Sequence, residues 1–156
     1  MRKSRNLNKR ILGPDPVFQS PIVTKTINMI MWDGKKFLAQ RIFYRSLDLV
    51  GQKLGKDPLE VFLAALQNIA PSIELKTRKI GGANYQVPVE ASAERKQTLA
   101  MRLLINYSRK RGERTMVEAL AAEIIDAYNN TGLSIKRKNE IIKTAESNKA
   151  FSYFRF

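Results

Sequence analysis

Hydrophobic positions along this chain recur at helical spacing over six stretches and at strand spacing over one. Val23, Ile27 and Ile30 step by four and three, which predicts a short helix from about Ser20 to Met31 with Pro21 in its first turn. After an Asp33-Gly34 turn, Phe43, Leu47, Val50 and Leu54 form the stripe of a second helix over about Lys35 to Leu54, stopped by Gly55. Asp57-Pro58-Leu59-Glu60 reads as a helix start: Asp57 caps, Pro58 suits the first position and Glu60 completes a variant of the capping box. Leu59, Phe62, Leu66 and Ile69 carry this third helix until Pro71. A fourth helix is predicted from about Ser92 to Lys110. A fifth runs from about Thr115 to Tyr128, with Val117, Leu120, Ile124 and Tyr128 facing in. After the break Asn129-Asn130-Thr131-Gly132, a sixth spans about Leu133 to Lys149.

Between the third and fourth helices the period changes to two. Ile73, Leu75 and Thr77 alternate with Glu74, Lys76 and Arg78; Tyr85, Val87 and Val89 alternate with Gln86, Pro88 and Glu90. Gly81-Gly82 supplies a turn that accepts positive φ. The pattern predicts one β-hairpin at about 72–90. A two-stranded ribbon is marginal alone in water, so an apolar base of Ile73, Leu75, Val87 and Val89 is expected to dock while a basic tip projects. Pro14 and Pro16 forbid a continuous helix near the start. The expected organisation is therefore a basic N-terminal arm over 1–19, a helical domain over 20–150 and an aromatic tail over 151–156. That tail either tucks onto the helices or meets a partner. The fold class is mainly α: a six-helix domain with one projecting two-stranded hairpin and an extended arm.

Composition adds the partner. A chain of 156 residues, 44% hydrophobic, suits one domain with a real core. Its 28 Lys and Arg against 14 Asp and Glu leave a net charge of +14, which repels itself unless a polyanion answers it. Nucleic acid is the first candidate and a membrane surface the second; no apolar run is long enough for a transmembrane helix. Cysteine and histidine are both absent, so no disulfide and no Cys/His zinc site is possible, and the usual general base and thiol nucleophile are missing. Glu123 and Asp126, three apart on one helix face with Glu118 nearby, read as ion-pair partners rather than as a metal-binding cluster. No catalytic residue, metal or cofactor is expected.

The cations fall in groups. Arg2, Lys3, Arg5, Lys9 and Arg10 load the arm with no acid before Asp15. On the fourth helix Arg95, Arg102 and Arg109 are seven apart and share a face over about 21 Å, long enough to follow several phosphates. Lys110, Arg111 and Arg114 continue the stripe, and no acid lies between Arg95 and Arg111 to pair along it. Lys136, Arg137 and Lys138 near the start of the sixth helix, and Lys35 and Lys36 near that of the second, oppose the helix macrodipole, which points to an anion from outside. Lys25 joins this set of candidate nucleic-acid contacts. On the hairpin, Lys76, Arg78 and Lys79 with Gly81, Gly82, Asn84 and Tyr85 suit contact with a groove or a single strand.

Several segments together resemble the small-subunit ribosomal protein seven family in its bacterial and organellar form. They are Pro14-Asp15-Pro16, Asp33-Gly34-Lys35-Lys36, Asp57-Pro58-Leu59-Glu60-Val61-Phe62, Ser108-Arg109-Lys110-Arg111 and Asn129-Asn130-Thr131-Gly132. The two most specific are the hairpin core Gly81 to Glu90 (GGANYQVPVE) and Ala145 to Phe151 (AESNKAF). The histidines usual in that family's C-terminal region are replaced by Ile141-Ile142-Lys143-Thr144 and Ser152-Tyr153-Phe154. The resemblance implies direct binding to the 3′ domain of small-subunit ribosomal RNA and nucleation of the subunit head. It also implies a hairpin near messenger and exit-site transfer RNA, and a C-terminal helix close to ribosomal protein eleven. A cytoplasmic ribosome is the expected location, bacterial in preference to an organellar matrix or stroma. Two other readings belong to different classes: a nucleoid DNA-binding protein, which predicts equal affinity for duplex DNA, and a metal-dependent RNA-processing enzyme, which predicts turnover.

Overall fold

The structure is a computed structural model and describes residues 12–154. In chain order these residues form α1 (Pro21–Ile30), α2 (Lys36–Leu54), α3 (Pro58–Ile69), β1 (Ile73–Ile80), β2 (Ala83–Glu90), α4 (Ala93–Ser108), α5 (Met116–Tyr128) and α6 (Gly132–Ser147). A 3-10 helix over Lys149–Phe154 follows. This is the mainly helical domain with one antiparallel hairpin that the periodicities predict. The predicted Asp57 cap holds, its carboxylate accepting from the Leu59 N–H; at the start of α5 the Thr115 hydroxyl accepts from the Glu118 N–H, a cap not named from the sequence.

Helix α5 is the centre of the domain because its sequence, MVEALAAEIIDAY, is small or apolar on nearly every face. It packs against α2, α3, α4 and α6. Ala119, Ala121 and Ala127 keep it thin enough for close approach, while Leu120 and Ile124 fill the space between neighbours; all five are buried. Phe43 of α2 and Phe62 of α3 meet edge to face beside it, 5.2 Å apart. Helix α1 lays Val23, Ile27 and Ile30 against α2 and α4. Residues 12–19 are rooted on this frame through Asp15. Its buried carboxylate accepts from the Val17 and Phe18 N–H groups and, at 2.6 Å, from the Tyr44 hydroxyl.

The hairpin closes on Gly81-Gly82, both at positive φ (56° and 91°), between the paired Ile80 and Ala83. That is a two-residue primed turn, whose twist matches the strands. At the other end Ala91 N–H donates to Ser72 C=O. Counting from there, Leu75 and Pro88 face each other at a non-hydrogen-bonded position, so the missing proline N–H costs the ladder nothing.

The register corrects the expected base. Directly opposed residues share a face, and Val87 and Val89 stand opposite Lys76 and Glu74, whereas Ile73 and Leu75 stand opposite Glu90 and Pro88. The four apolar residues are therefore split between the two faces. The base is gripped from both sides, with α6 against β1 and the 3-10 helix against β2. Val87 and Pro88 are buried; Thr77, Arg78, Lys79 and Gly81 to Asn84 are exposed. The described part of the tail tucks, but onto the hairpin: the Phe151 ring lies 5.2 Å from that of Tyr85, and Asn148 Nδ2 donates to Gln86 C=O; Arg155 and Phe156 lie outside the described residues.

Candidate nucleic-acid interface

Helix α4 spans 16 residues, about 24 Å, and carries Arg95, Arg102 and Arg109 exposed on one face. The expectation that this stripe lacks internal partners is corrected, because the partners come from other elements. Arg95 Nε lies 2.8 Å from Glu74 Oε2 of β1, and Lys76 Nζ lies 3.2 Å from Glu74 Oε1. Burial alone raises the Glu74 carboxyl; hydrogen bonds from Arg95 and Lys76 outweigh it and hold the group below the usual carboxylate range. At the other end, Arg109 Nη2 donates to Ile30 C=O at 3.0 Å and its guanidinium lies 4.4 Å from the centre of the Trp32 ring. Arg102, midway, makes no ion pair among the described residues.

One basic cleft runs along α4 and a second lies just beyond its C-terminal end. The first, about 370 Å³, sits between the hairpin base, α4 and α6 and is lined by Arg95, Arg102, Asn106 and Arg137. The second, about 470 Å³, sits between the α1–α2 turn and the α4–α5 loop and is lined by Lys35, Arg109 and Arg114 over an apolar floor.

Arg111 behaves differently from its neighbours. It bonds Glu113 at 2.8 Å, Glu123 at 2.8 Å and Asp126 at 2.6 Å, with its side chain 19% exposed. Burial lowers the guanidinium pKa, and hydrogen bonds to Glu123, Asp126 and Glu113 outweigh this and hold it above its already high ordinary value. Glu123 is fully buried; its other oxygen accepts from the Ser134 N–H at 2.8 Å and from the Ser134 hydroxyl. Glu123 and Asp126 are thus ion-pair partners, and Arg111 is a clasp that ties the α4–α5 loop to α5 and α6. Gly132 is required there: its φ is 89°, and a Cβ would fall 2.9 Å from Asp126 Cβ.

The same arrangement corrects the argument from the start of α6. The positive helix end is answered from inside by Glu123. Lys138 donates to Asn68 C=O at 2.7 Å, at the carbonyl end of α3, where a cation is favourable. Arg137 pairs with Glu140 at 2.9 Å while lining the first cleft, and Lys136 is exposed with no ion pair among the described residues. Lys35 and Lys36 are exposed beside the α1–α2 turn, Lys25 is half-buried on α1, and Lys110 lies over the Tyr107 ring. On the hairpin, Lys76 is held at the base by Glu74, Tyr85 packs on the tail, and Arg78, Lys79 and Asn84 are exposed. Arg2, Lys3, Arg5, Lys9 and Arg10 lie outside the described residues. Sequence reasoning missed Trp32, although the chain's single tryptophan beside an Asp-Gly turn and two lysines was a visible signal.

A family model described as ribosomal protein S7p/S5e matches residues 1–149. The chain belongs to this family. It is 56% identical over 148 residues to a small ribosomal subunit protein uS7 from Natranaerobius thermophilus, covering 95% of each chain. It is 53% identical to that of Symbiobacterium thermophilum over the whole of both chains. The uS7 of Mycoplasmoides gallisepticum is 56% identical over 155 residues, 99% of each. As a member of the S7p/S5e family the chain is a structural, non-enzymatic protein of the small ribosomal subunit, RNA-binding and belonging to translation. No helix among the described residues is long and apolar enough to cross a membrane.

Proposed function

We propose that this chain binds the 3′ domain of small-subunit ribosomal RNA directly and nucleates assembly of the subunit head. Its hairpin tip reaches the messenger and transfer RNA at the exit site. The observation that carries the reading is α4, a single helix with one basic cleft along its length and another just beyond its C-terminal end. Phosphates follow this track through Arg102, Lys110, Arg114, Lys35 and Lys36, with Lys25 and Lys136 flanking. Arg95, Arg109 and Arg137 present what their internal bonds leave open, and the cations of the arm extend the contact. Arg111 and Lys138 shape the surface rather than donate to RNA. The exposed Arg78, Lys79 and Gly81 to Asn84 form the part of the hairpin that meets the mobile RNAs. Phe151 and the 3-10 helix brace the hairpin, and α6 faces ribosomal protein eleven. The setting is a bacterial cytoplasmic ribosome, in keeping with the bacterial sources of the relatives.

Filter binding to a 3′-domain transcript, titrated in salt, tests the track. Each neutralised phosphate contributes about 0.7 to 0.9 to the log-log slope. Replacing Arg102, Lys110 and Arg114 by alanine together should flatten that slope by roughly two to three units. An unchanged slope, or equal affinity for duplex DNA of the same length, overturns the reading.

A further inference from the structure

The second cleft has a composition that phosphate binding does not explain. Its floor is apolar, built from Leu38, Ala39, Ile42 and Met116. Trp32 lines it and is 68% exposed, and Leu38 of its floor is 51% exposed. Leaving such side chains in water is unfavourable unless something covers them. The Trp32 indole is held in place: the Ile30 carbonyl beside it is fixed by Arg109, whose guanidinium covers one ring face at 4.4 Å. The turn that presents it is also fixed, by the Lys35 N–H donating to Trp32 C=O at 2.9 Å. Lys35 and Arg114 stand at the rim, while Arg111, which also lines the cleft, is shared between Glu113 there and Glu123 and Asp126 behind it. Asp33 is the remaining acid there.

We propose that this cleft receives one unstacked nucleobase of the bound RNA, with the base lying on the Trp32 indole and the flanking phosphates meeting Lys35 and Arg114. This deepens the proposed RNA-binding function and rests on it. The chemistry favours a nucleobase over an apolar protein segment. A base offers a flat π surface to the indole and is tied to anionic phosphates, and the charged groups free at the rim are mainly cations. The volume of about 470 Å³ lies within the usual range of about 300–1,000 Å³ for sites that enclose a small planar group. Only an unpaired nucleotide can enter, because a base inside a helix cannot present its face.

Trp32 is the chain's single tryptophan, so its fluorescence reports on this site alone. Saturation with a 3′-domain transcript should quench it, whereas a fully paired RNA duplex of equal length should not. Trp32→Ala should weaken binding to the transcript by roughly tenfold with the salt slope unchanged, since the indole neutralises no phosphate. Trp32→Phe should recover part of the loss. Because the indole is mostly exposed, both variants should melt close to wild type, which separates a binding loss from a folding defect. Salt-dependent binding that leaves the fluorescence or the affinity of Trp32→Ala unchanged overturns the base site and leaves the RNA-binding reading standing. Equal quenching by duplex shows phosphate proximity rather than stacking and also overturns it. Failure of the wild-type protein to bind the transcript sinks both.

Discussion

Two carboxylates among the described residues are buried against arginine, and they do opposite things with their charge. Glu123 is wholly enclosed, and it joins Asp126 and Glu113 around one guanidinium, so acid outnumbers base and the cluster presents no surplus positive charge. Glu74 sits between two cations, Arg95 and Lys76, whose side chains are 43% and 49% exposed, so base outnumbers acid and the pair still faces outward as positive charge. In a protein of net charge +14 the cations that carry structure are those where acids converge. Those left facing outward are where acids are spread thin.

Removing the cation from the enclosed site tests this most severely. Arg111→Ala leaves Glu123 buried without its counter-charge, and a half-broken buried pair costs about 3–5 kcal/mol. Denaturant unfolding should show a loss of that size, the largest expected for any single cation here. A cost near that of an exposed pair, below about 1 kcal/mol, would erase the distinction between the two carboxylates.

A third buried carboxylate sharpens the comparison because no cation among the described residues pairs with it. Asp15 is bound by two backbone N–H groups and the Tyr44 hydroxyl. Tyr44→Phe removes one hydrogen bond to a charged acceptor, and about 1–2 kcal/mol should be lost. Burial first, then the hydrogen bond and charge of Asp15, raise the Tyr44 hydroxyl from 10.0 to about 12. The unfolded chain therefore loses that proton before the folded one does. The stabilisation is complete below pH 10 and disappears as pH rises from there towards 12. The difference between wild type and Tyr44→Phe should narrow over that window, and a constant difference would mean that the hydroxyl does not report on Asp15.

The helices were legible because each buries one stripe, and a stripe is a local property of sequence. Val23, Ile27 and Ile30 read correctly for that reason, as did the Asp57 cap. The hairpin's existence was legible from its period and its Gly81-Gly82 turn. Its faces were not, because assigning Val87 to one face and Leu75 to the other requires the register across the turn. The charge pattern failed more instructively. Looking only along α4 missed Glu74, which is 21 residues from Arg95 in sequence and 2.8 Å away in space. Arg111, Lys138 and Arg102 look alike in one dimension; only the carboxylates and carbonyls brought by α5 and α3 tell them apart.

The open carboxylate should matter less to stability. Glu74→Gln removes a charge shared with two half-exposed cations, so about 1 kcal/mol or less is expected at neutral pH. The Glu74 pKa is lowered on folding, so its contribution is present above the ordinary carboxylate value of 4.5 and is lost as pH falls through the folded value. Wild type and Glu74→Gln should therefore converge in acid. The variant should also leave Arg95 and Lys76 unneutralised and bind RNA at least as tightly. A clear fall in RNA affinity would mean that Glu74 acts by holding the hairpin in position rather than by subtracting charge.

The smallest effect on stability is expected at the far end of the same ribbon. From Thr77 to Lys79 and from Gly81 to Asn84 the strands are exposed. The docking of the base rests instead on Val87, on Pro88 and on the grip of α6 and the 3-10 helix. Removing Lys79 to Asn84 and closing the ribbon with a two-residue Asn-Gly turn keeps the register parity of the base, since Arg78 and Tyr85 are directly paired. Tyr85 stays in place, so its packing on Phe151 survives. Thermal unfolding should move little, and the salt slope for a 3′-domain transcript should be retained because the α4 track is untouched. The expected loss lies in translation: subunits carrying the shortened hairpin should assemble but hold exit-site transfer RNA less well or keep the reading frame less accurately. A large fall in melting temperature would show that the tip supports the base. Normal assembly with normal translation would leave Arg78, Lys79 and the glycine turn without the role proposed for them.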